Sequence, residues 1–598
     1  MNRVREVSWL VALLLAISTA LIASLLANSL EVSATTEHPR QSWLSLNTIH
    51  GVVLNDKGTV AGATVRVQLT ENKTLSADDG TFTLSNISSS QVVTLTAWAE
   101  GHYIGWTRVT PGVGPVIITM GEHFTSDNVN YDWFEFAGTE GSAACGLCHI
   151  AYNEWKEDIH SQTATNYRFL TMYAGTDIQG NQSPQTQYDT KTGLGLLPDA
   201  TQPYFGPGFR LDNPNRPGVC ASCHTPMAAK IPTTSGCGWS GCHTSYTAQV
   251  SELIPDGASP THLTGDAAEG ISCEFCHKIG GVQINDDTGL PYEDSPGIMS
   301  LKLLRPTEGH DIFFGSRDDV VRTDLKVPRD SFLPLQKESE FCASCHYGVL
   351  GGVVANMKVS GGVLVYSSFK EWLESPYNAD KSGKPEDGKT CQGCHMPTGF
   401  TDHVAFTEKG GPPRDPDSIH SHKMLGAYDK SFLQQSVSLT ATAKLENEKL
   451  VVDISLVNDQ AGHDIPTDSV LRHVMLVVTA TDSAGKVLTL SSGESLPAWA
   501  GNYAELPGRI FAKVLKDEWT GESPTGAIWR PVSVVSDTRL KPFVPDTSQY
   551  IFDTGASEPA TVDVQLLYRY APQELMKQKS WPDQDVVMKH EILTLQEK

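Results

Sequence analysis

Between about residues 46 and 120 apolar and polar positions alternate in short runs, GVVL, ATVRVQL, GTFTL and VVTLTAWA. A period of two marks strands with one face on a core and the other in water. Turn formers separate the runs, among them Asn55-Asp56-Lys57-Gly58 and Asp78-Asp79-Gly80. This pattern predicts a small β-sandwich over 46–120. Alternation returns from about 433 to 598, in LVVDISLVND, in VMLVVTATD before Ser483-Ala484-Gly485, and in VDVQLLYRY, and predicts a second, larger sandwich. Over 121–432 the alternation is absent, Gly and Pro are frequent, and helical patterning is confined to short stretches.

The chain opens differently. Arg3 and Arg5 precede an apolar run from about Trp9 to Leu30. Residues 1–34 therefore read as an export signal peptide or an N-terminal membrane anchor. At roughly 20 residues the run is long enough to span a bilayer, and Val32-Ser33-Ala34 offers a small-residue cleavage site. Both outcomes are open at this stage.

The middle segment carries a repeated motif. Cys-x-x-Cys-His occurs five times. The copies are Cys145, Cys148 and His149; Cys220, Cys223 and His224; Cys273, Cys276 and His277; Cys342, Cys345 and His346; and Cys391, Cys394 and His395. A sixth copy, Cys237, Cys242 and His243 in CGWSGCH, has four residues between its cysteines. Together the six use all twelve cysteines. Two thiols on one short turn can add across the two vinyl groups of a haem, and the following histidine then sits beneath the porphyrin as an iron ligand. A zinc ribbon has no need of a histidine after every second cysteine, and disulfides give no reason for one repeated spacing. The motifs predict six covalently attached haem c groups. The expected fold class is a multidomain chain, two immunoglobulin-like β-sandwiches flanking a mainly helical/irregular multihaem domain. In that central domain the porphyrins would supply much of the apolar core. Covalent haem attachment takes place outside the cytoplasm, which agrees with an exported protein, periplasmic or on the extracellular face.

Composition narrows the partners. At 598 residues the chain is too long for one domain. A formal net charge of −24 disfavours nucleic acid and anionic membrane surfaces as partners. The expected partners are redox proteins, other cytochromes among them, with an oligomer or polymer also open.

An electron-carrying haem is normally six-coordinate. Thirteen histidines lie outside the motifs, so bis-histidine ligation is the default, with Met227 and Met396 packing on porphyrin edges. His160 lies eleven residues after His149 in HIAYNEWKEDIH. A continuous helix there would put both imidazoles on one face about 16 Å apart, so that they serve different haems. His262 and His310 lie in loop-like stretches, and His420 and His422 in SIHSHKMLG would point to opposite sides of an extended segment. His463 sits in NDQAGHDIPTD at the start of the second sandwich, with His403 as a reserve; His123, His473 and His590 read as structural.

Two resemblances accompany this reading. GVV…AGATVRVQL…DDGTFTL…AEGHY resembles the carboxypeptidase-regulatory-like module, which implies an immunoglobulin-like spacer without chemistry. CGLCHIAYNEWKEDIHSQTATNYRF, GISCEFCH, CQGCHMP, HSHKMLG and GHDIPTD are similar to the hydroxylamine oxidoreductase and cytochrome c-552/4 superfamily. That resemblance implies closely stacked bis-histidine haems, with His160, His262, His422 and His463 as distal ligands. The chain departs from the pattern in its widely spaced motif and in having no Cys-x-x-Cys-Lys.

The favoured function is electron transfer between a membrane or periplasmic donor and another redox partner, in which case no residue is catalytic. The alternative is a reductase or oxidase of a small nitrogen or sulfur compound with one open iron, for which the CGWSGCH motif is the natural suspect. A mainly adhesive or structural role is a third, weaker reading.

Overall fold

A computed structural model describes residues 47–595 except 88–90, 129–130, 132, 215–219, 229–262, 294, 323–328, 356–357, 361, 380–387 and 555–558. Several sequence expectations therefore lie outside the described residues: the N-terminal segment 1–34, the widely spaced motif with Cys237, Cys242 and His243, and the candidate ligand His262. Among the described residues no helix is long and apolar enough to cross a membrane.

Two four-stranded sheets form the first unit. Asn47–Asn55 pairs antiparallel with Gly58–Thr59 and Thr81–Ile87, and parallel with Val116–Thr119. The facing sheet runs Lys73–Leu75, Thr64–Val67, Val93–Trp98, Gly105–Val109. Their alternate inward residues, Ile49, Val53, Val65, Phe82, Leu84, Leu95 and Ile118, form one buried core. The unit docks on the central region at 311–332. Trp98 meets Phe332 edge-on at 4.8 Å, Ile104 N donates to Asp330 O at 2.9 Å, and the Asp319 carboxylate accepts from Leu69 N at 3.0 Å.

The central region is not mainly helical. Its longest helix among the described residues, Tyr167–Ala174, has eight residues, and the other α-helices have four to seven. Between them lie two-stranded ladders such as Ile279–Val282 with Leu301–Leu303 and Gly348–Leu350 with Val363–Tyr366. A Cys-x-x-Cys-His segment needs only one helical turn, and Gly and Pro stop the helix soon after. The expected helix over HIAYNEWKEDIH is likewise broken. Ala151–Lys156 is α-helical, Asp158 turns extended (φ −85°, ψ 152°), and its side chain caps a separate 3₁₀ turn, Ile159–Gln162. His160 sits on that second turn.

The C-terminal unit also has two four-stranded sheets. One runs Ser438–Glu446, Lys449–Val457, Pro545–Asp553, Thr489–Ser492, and the other Gly508–Phe511, His473–Asp482, Pro559–Arg569, Val586–Thr594. Leu450, Val452, Ile454, Val474, Leu476, Val478, Tyr550, Phe552, Val562 and Val564 fill the space between them. The connection from Val457 to His473 leaves this sandwich and enters the central region. Buried ion pairs fasten the two units. Arg530 grips Asp212 through Nε at 2.7 Å and Nη2 at 3.0 Å and reaches Asp517 at 2.7 Å. Lys579 Nζ donates to the carbonyls of Thr171, Thr176 and Pro207.

Candidate functional site

Each described motif is a single helical turn. In the first, Cys148 N donates to Cys145 O at 3.1 Å and His149 N to the same carbonyl at 2.9 Å. Cys148 O then accepts from Phe406 N at 2.9 Å, which ties this turn to the segment after the last motif. Other turns are fixed from their N-terminal side. Ser272 Oγ accepts from Phe275 N at 3.1 Å, and Thr390 Oγ1 accepts from Gly393 N at 3.1 Å.

Further bonds join the turns in pairs. Ser142, three residues before Cys145, accepts from Cys273 N at 3.1 Å. Ser339, three residues before Cys342, accepts from Cys391 N at 3.0 Å. The thiols repeat that pairing, with Cys145 in hydrogen-bonding reach of Cys273 and Cys342 of Cys391. A third contact, Cys223 to Cys345, joins the remaining described turn to the second pair. Gly297 (φ +63°) makes room for it, because a Cβ there would come within 2.7 Å of Cys223 Sγ. The described thiols, Cys148, Cys220, Cys276 and Cys394 included, are half-buried and form no disulfide. Among the described residues no three of His, Cys, Asp and Glu converge as a tetrahedral zinc site would require.

The described motif histidines differ in charge: burial works to lower His346, but the Asp468 carboxylate raises it to about 9. Burial pushes His224, His395 and His422 down to about 4, so their imidazoles are neutral at pH 7. Burial lowers His149 and His277 as well. Several Nδ1 atoms are committed, which leaves Nε2 for a metal. His277 Nδ1 bonds Phe314 O at 2.5 Å and His395 Nδ1 bonds Leu425 O at 2.6 Å. His346 Nδ1 bonds Asp468 Oδ2 at 2.9 Å. The candidate distal residues follow the same rule: His160 Nδ1 meets Asp158 Oδ1 at 2.7 Å, and His463 Nδ1 meets Asp464 O at 3.0 Å.

Two imidazoles on one metal ion, each nitrogen roughly 2 Å from it, hold their ring centres about 6 to 6.5 Å apart. His160 and His346 stand 6.4 Å apart, and His395 and His463 stand 6.1 Å apart. In both cases a histidine from elsewhere in the chain faces a motif histidine at the spacing one iron would set. The residues present therefore fit haem c at Cys342 and Cys345, with His346 and His160, and at Cys391 and Cys394, with His395 and His463. His422 lies in electrostatic reach of His277 and then of His149, and Glu154 fixes it by accepting from its backbone N at 2.7 Å. His420 is exposed, its Nδ1 held by Met396 O at 2.6 Å. His310 is also exposed, its ring edge-on to Phe124 at 4.9 Å. His403, the reserve, meets the carboxylate of its neighbour Asp402 through Nδ1 at 2.5 Å. Around His224 the arrangement differs. Phe169 stacks flat on its ring at 3.8 Å and 5°, with Tyr366 near Cys220 and Cys223 and Arg472 near Tyr366. Met227 is buried against Phe275 and Ile298.

The sequence reading missed the groups behind the histidines. Asp468 adopts φ 57°, a left-handed conformation that Asp tolerates better than most residues. Its Oδ1 accepts from Ser367 N at 3.1 Å and Ser368 N at 3.0 Å. Burial works to raise its pKa, but the His346 bond and charge and the Ser368 N–H hold it well below the usual carboxylate range. Asp158 Oδ2 accepts from Met424 N at 2.9 Å. The one sequence signal for them was an Asp placed near a candidate histidine, in EDIH and in GHDIPTD.

No family model matches the chain, and no curated protein matches it. Among solved structures it is similar to a penta-heme cytochrome c552 from Thermochromatium tepidum, at 18% identity over 76% of this chain and 98% of that one, with a TM-score of 0.48. It is also similar to a cohesin–X-dockerin complex from Acetivibrio cellulolyticus, at 15% identity over 16% of this chain and 65% of that one, with a TM-score of 0.12.

Proposed function

We propose that this chain is an exported c-type cytochrome with six haems that carries electrons between a donor at the membrane or in the periplasm and a second redox protein. The observation that carries the reading is the pair of facing imidazoles, His160 with His346 and His395 with His463, each anchored at Nδ1 and each beside a Cys-x-x-Cys turn. The sixth haem rests on the sequence alone, on Cys237, Cys242 and His243. Haem c, when bound, supplies an iron that cycles between the ferric and ferrous states. The chain's own residues do the rest. The cysteines would hold each group covalently, His160 with His346 and His395 with His463 would be its iron ligands at two of the sites, and the paired turns bring neighbouring motifs together. The sandwiches hold this array on either side and serve as its docking surfaces for partner proteins or further copies. In expression with a cytochrome c maturation system, the purified chain should carry six haems by mass and by pyridine haemochromogen absorbance. A protein that folds and stays soluble without covalent haem would overturn the proposal.

A second reading attaches to the turn at Cys220 and Cys223. Tyr366 lies near Cys220 and Cys223, with Arg472 near Tyr366. That setting suits an open iron acting on a small nitrogen or sulfur compound, with Tyr and Arg as proton donor and anion partner. Turnover of nitrite, hydroxylamine or sulfite with a reduced dye would favour it.

A further inference from the structure

The hydrogen bonds behind the axial histidines are of two kinds. His395 and His463 both give Nδ1 to backbone carbonyls, Leu425 O at 2.6 Å and Asp464 O at 3.0 Å. His277 does the same with Phe314 O. His346 and the histidine facing it differ. His346 meets the Asp468 carboxylate at 2.9 Å, and His160 meets the Asp158 carboxylate at 2.7 Å. Among the described motif histidines, His346 alone has a carboxylate at Nδ1. Both acids are held in place as acceptors by backbone N–H groups, Ser367 and Ser368 for Asp468, His160 and Met424 for Asp158. Asp158 is itself 3% exposed. This attachment turn is also the most connected one. Cys345 lies in hydrogen-bonding reach of Cys223, Cys342 in that of Cys391, and Cys276 in electrostatic reach of both Cys342 and Cys345.

We infer that Asp158 and Asp468 are positioning residues that set the site at Cys342 and Cys345 to the lowest potential of the described sites, at a junction that three of the other turns approach. The inference rests on the haem reading above and deepens it. A carboxylate acceptor draws the Nδ1 proton toward itself and makes the imidazole a stronger donor at Nε2. Two such ligands, with two nearby negative charges, favour the ferric over the ferrous state, and hydrogen bonding of this kind is a recognised lever on potential. A backbone carbonyl accepts the same bond without the full charge, so the pair at Cys391 and Cys394 lacks this effect. With haem bound there, the junction would be a step that electrons must climb between the branches joined there.

The test is a spectroelectrochemical titration of the full-length holoprotein with Asp158→Asn, Asp468→Asn and the double variant. Asn keeps a neutral acceptor in nearly the same shape, so the bond can survive while the charge is removed. The lowest midpoint should move upward in each single variant and further in the double one. The other midpoints should stay in place, and the low-spin EPR signal of the shifted haem should change its g spread. Asp468→Glu, which retains the carboxylate, should stay near the wild-type potential and covers the case in which the Asn variant does not fold. An unchanged lowest midpoint in a protein that keeps its full haem content would overturn this inference alone. Loss of covalent haem from the unmutated protein would instead overturn the functional reading beneath it.

Discussion

His463 and Asp468 sit five residues apart on the connection that leaves the C-terminal sandwich. One faces His395 at 6.1 Å, and the other bonds His346 at 2.9 Å. A single stretch of chain therefore serves two neighbouring attachment turns. It is locked by the buried ion pair of Arg539 with Glu371, whose Oε2 accepts from Asp464 N at 3.1 Å and Thr467 Oγ1 at 2.6 Å. At this scale the motif residues were legible because one spacing, Cys-x-x-Cys-His, recurs five times. The carboxylates were not: an Asp two residues before a histidine reads the same whether it caps a turn, as Asp158 also does, or sits on the surface, and Asp468 is far in sequence from the His346 it bonds. His473 is a histidine of a different kind, 1% exposed and set edge-on to Trp499 at 5.2 Å. Burial lowers its pKa from 6.5 to about 4. The sign follows from proton binding: between those values the unfolded chain takes up a proton that the folded one refuses, so stability falls as pH drops from about 6.5 towards 4. Urea unfolding should show about 2 kcal/mol of this loss between pH 7 and pH 5, absent from His473→Gln.

Long strands with alternating or continuous apolar runs were the most readable part of the chain. Lys449–Val457 and His473–Asp482 bury alternate or continuous apolar residues and sit at the centres of their sheets. The central elements resisted the same reading. A four-residue turn such as Ala221–His224 has no room for a period, and its partners are far away in sequence. The break at Asp158 shows the same limit: apolar spacing over HIAYNEWKEDIH suggests one helix, while a capping carboxylate ends it and starts another turn. Between elements, Arg530 is the main clasp, itself 6% exposed between the fully buried carboxylates of Asp212 and Asp517. Arg530→Met would leave both acids buried without their cation, at a cost of about 3–5 kcal/mol. Calorimetry of the holoprotein should show a clear fall in melting temperature; an unchanged transition would mean the clasp carries little of the docking.

At the scale of the whole molecule the three units form a frame around a connected set of attachment turns. Cys145 with Cys273 and Cys342 with Cys391 make two alike pairs, each tied by a serine three residues upstream, and Cys223 with Cys345 adds the remaining described turn. The distant joins Ser142 to Cys273, Cys148 to Phe406 and Tyr167 to Asp583 explain why no local pattern announced this arrangement. With a net charge of −24, any association driven by the charge of this surface should weaken as salt is added. The proposed function stands on the facing imidazoles, His160 with His346 and His395 with His463. Its most direct test is the ferric EPR spectrum of the full-length holoprotein, integrated against total haem. The account predicts that every haem appears as a low-spin bis-histidine signal. A high-spin ferric signal equal to one haem per chain would contradict it and move the function to an open site.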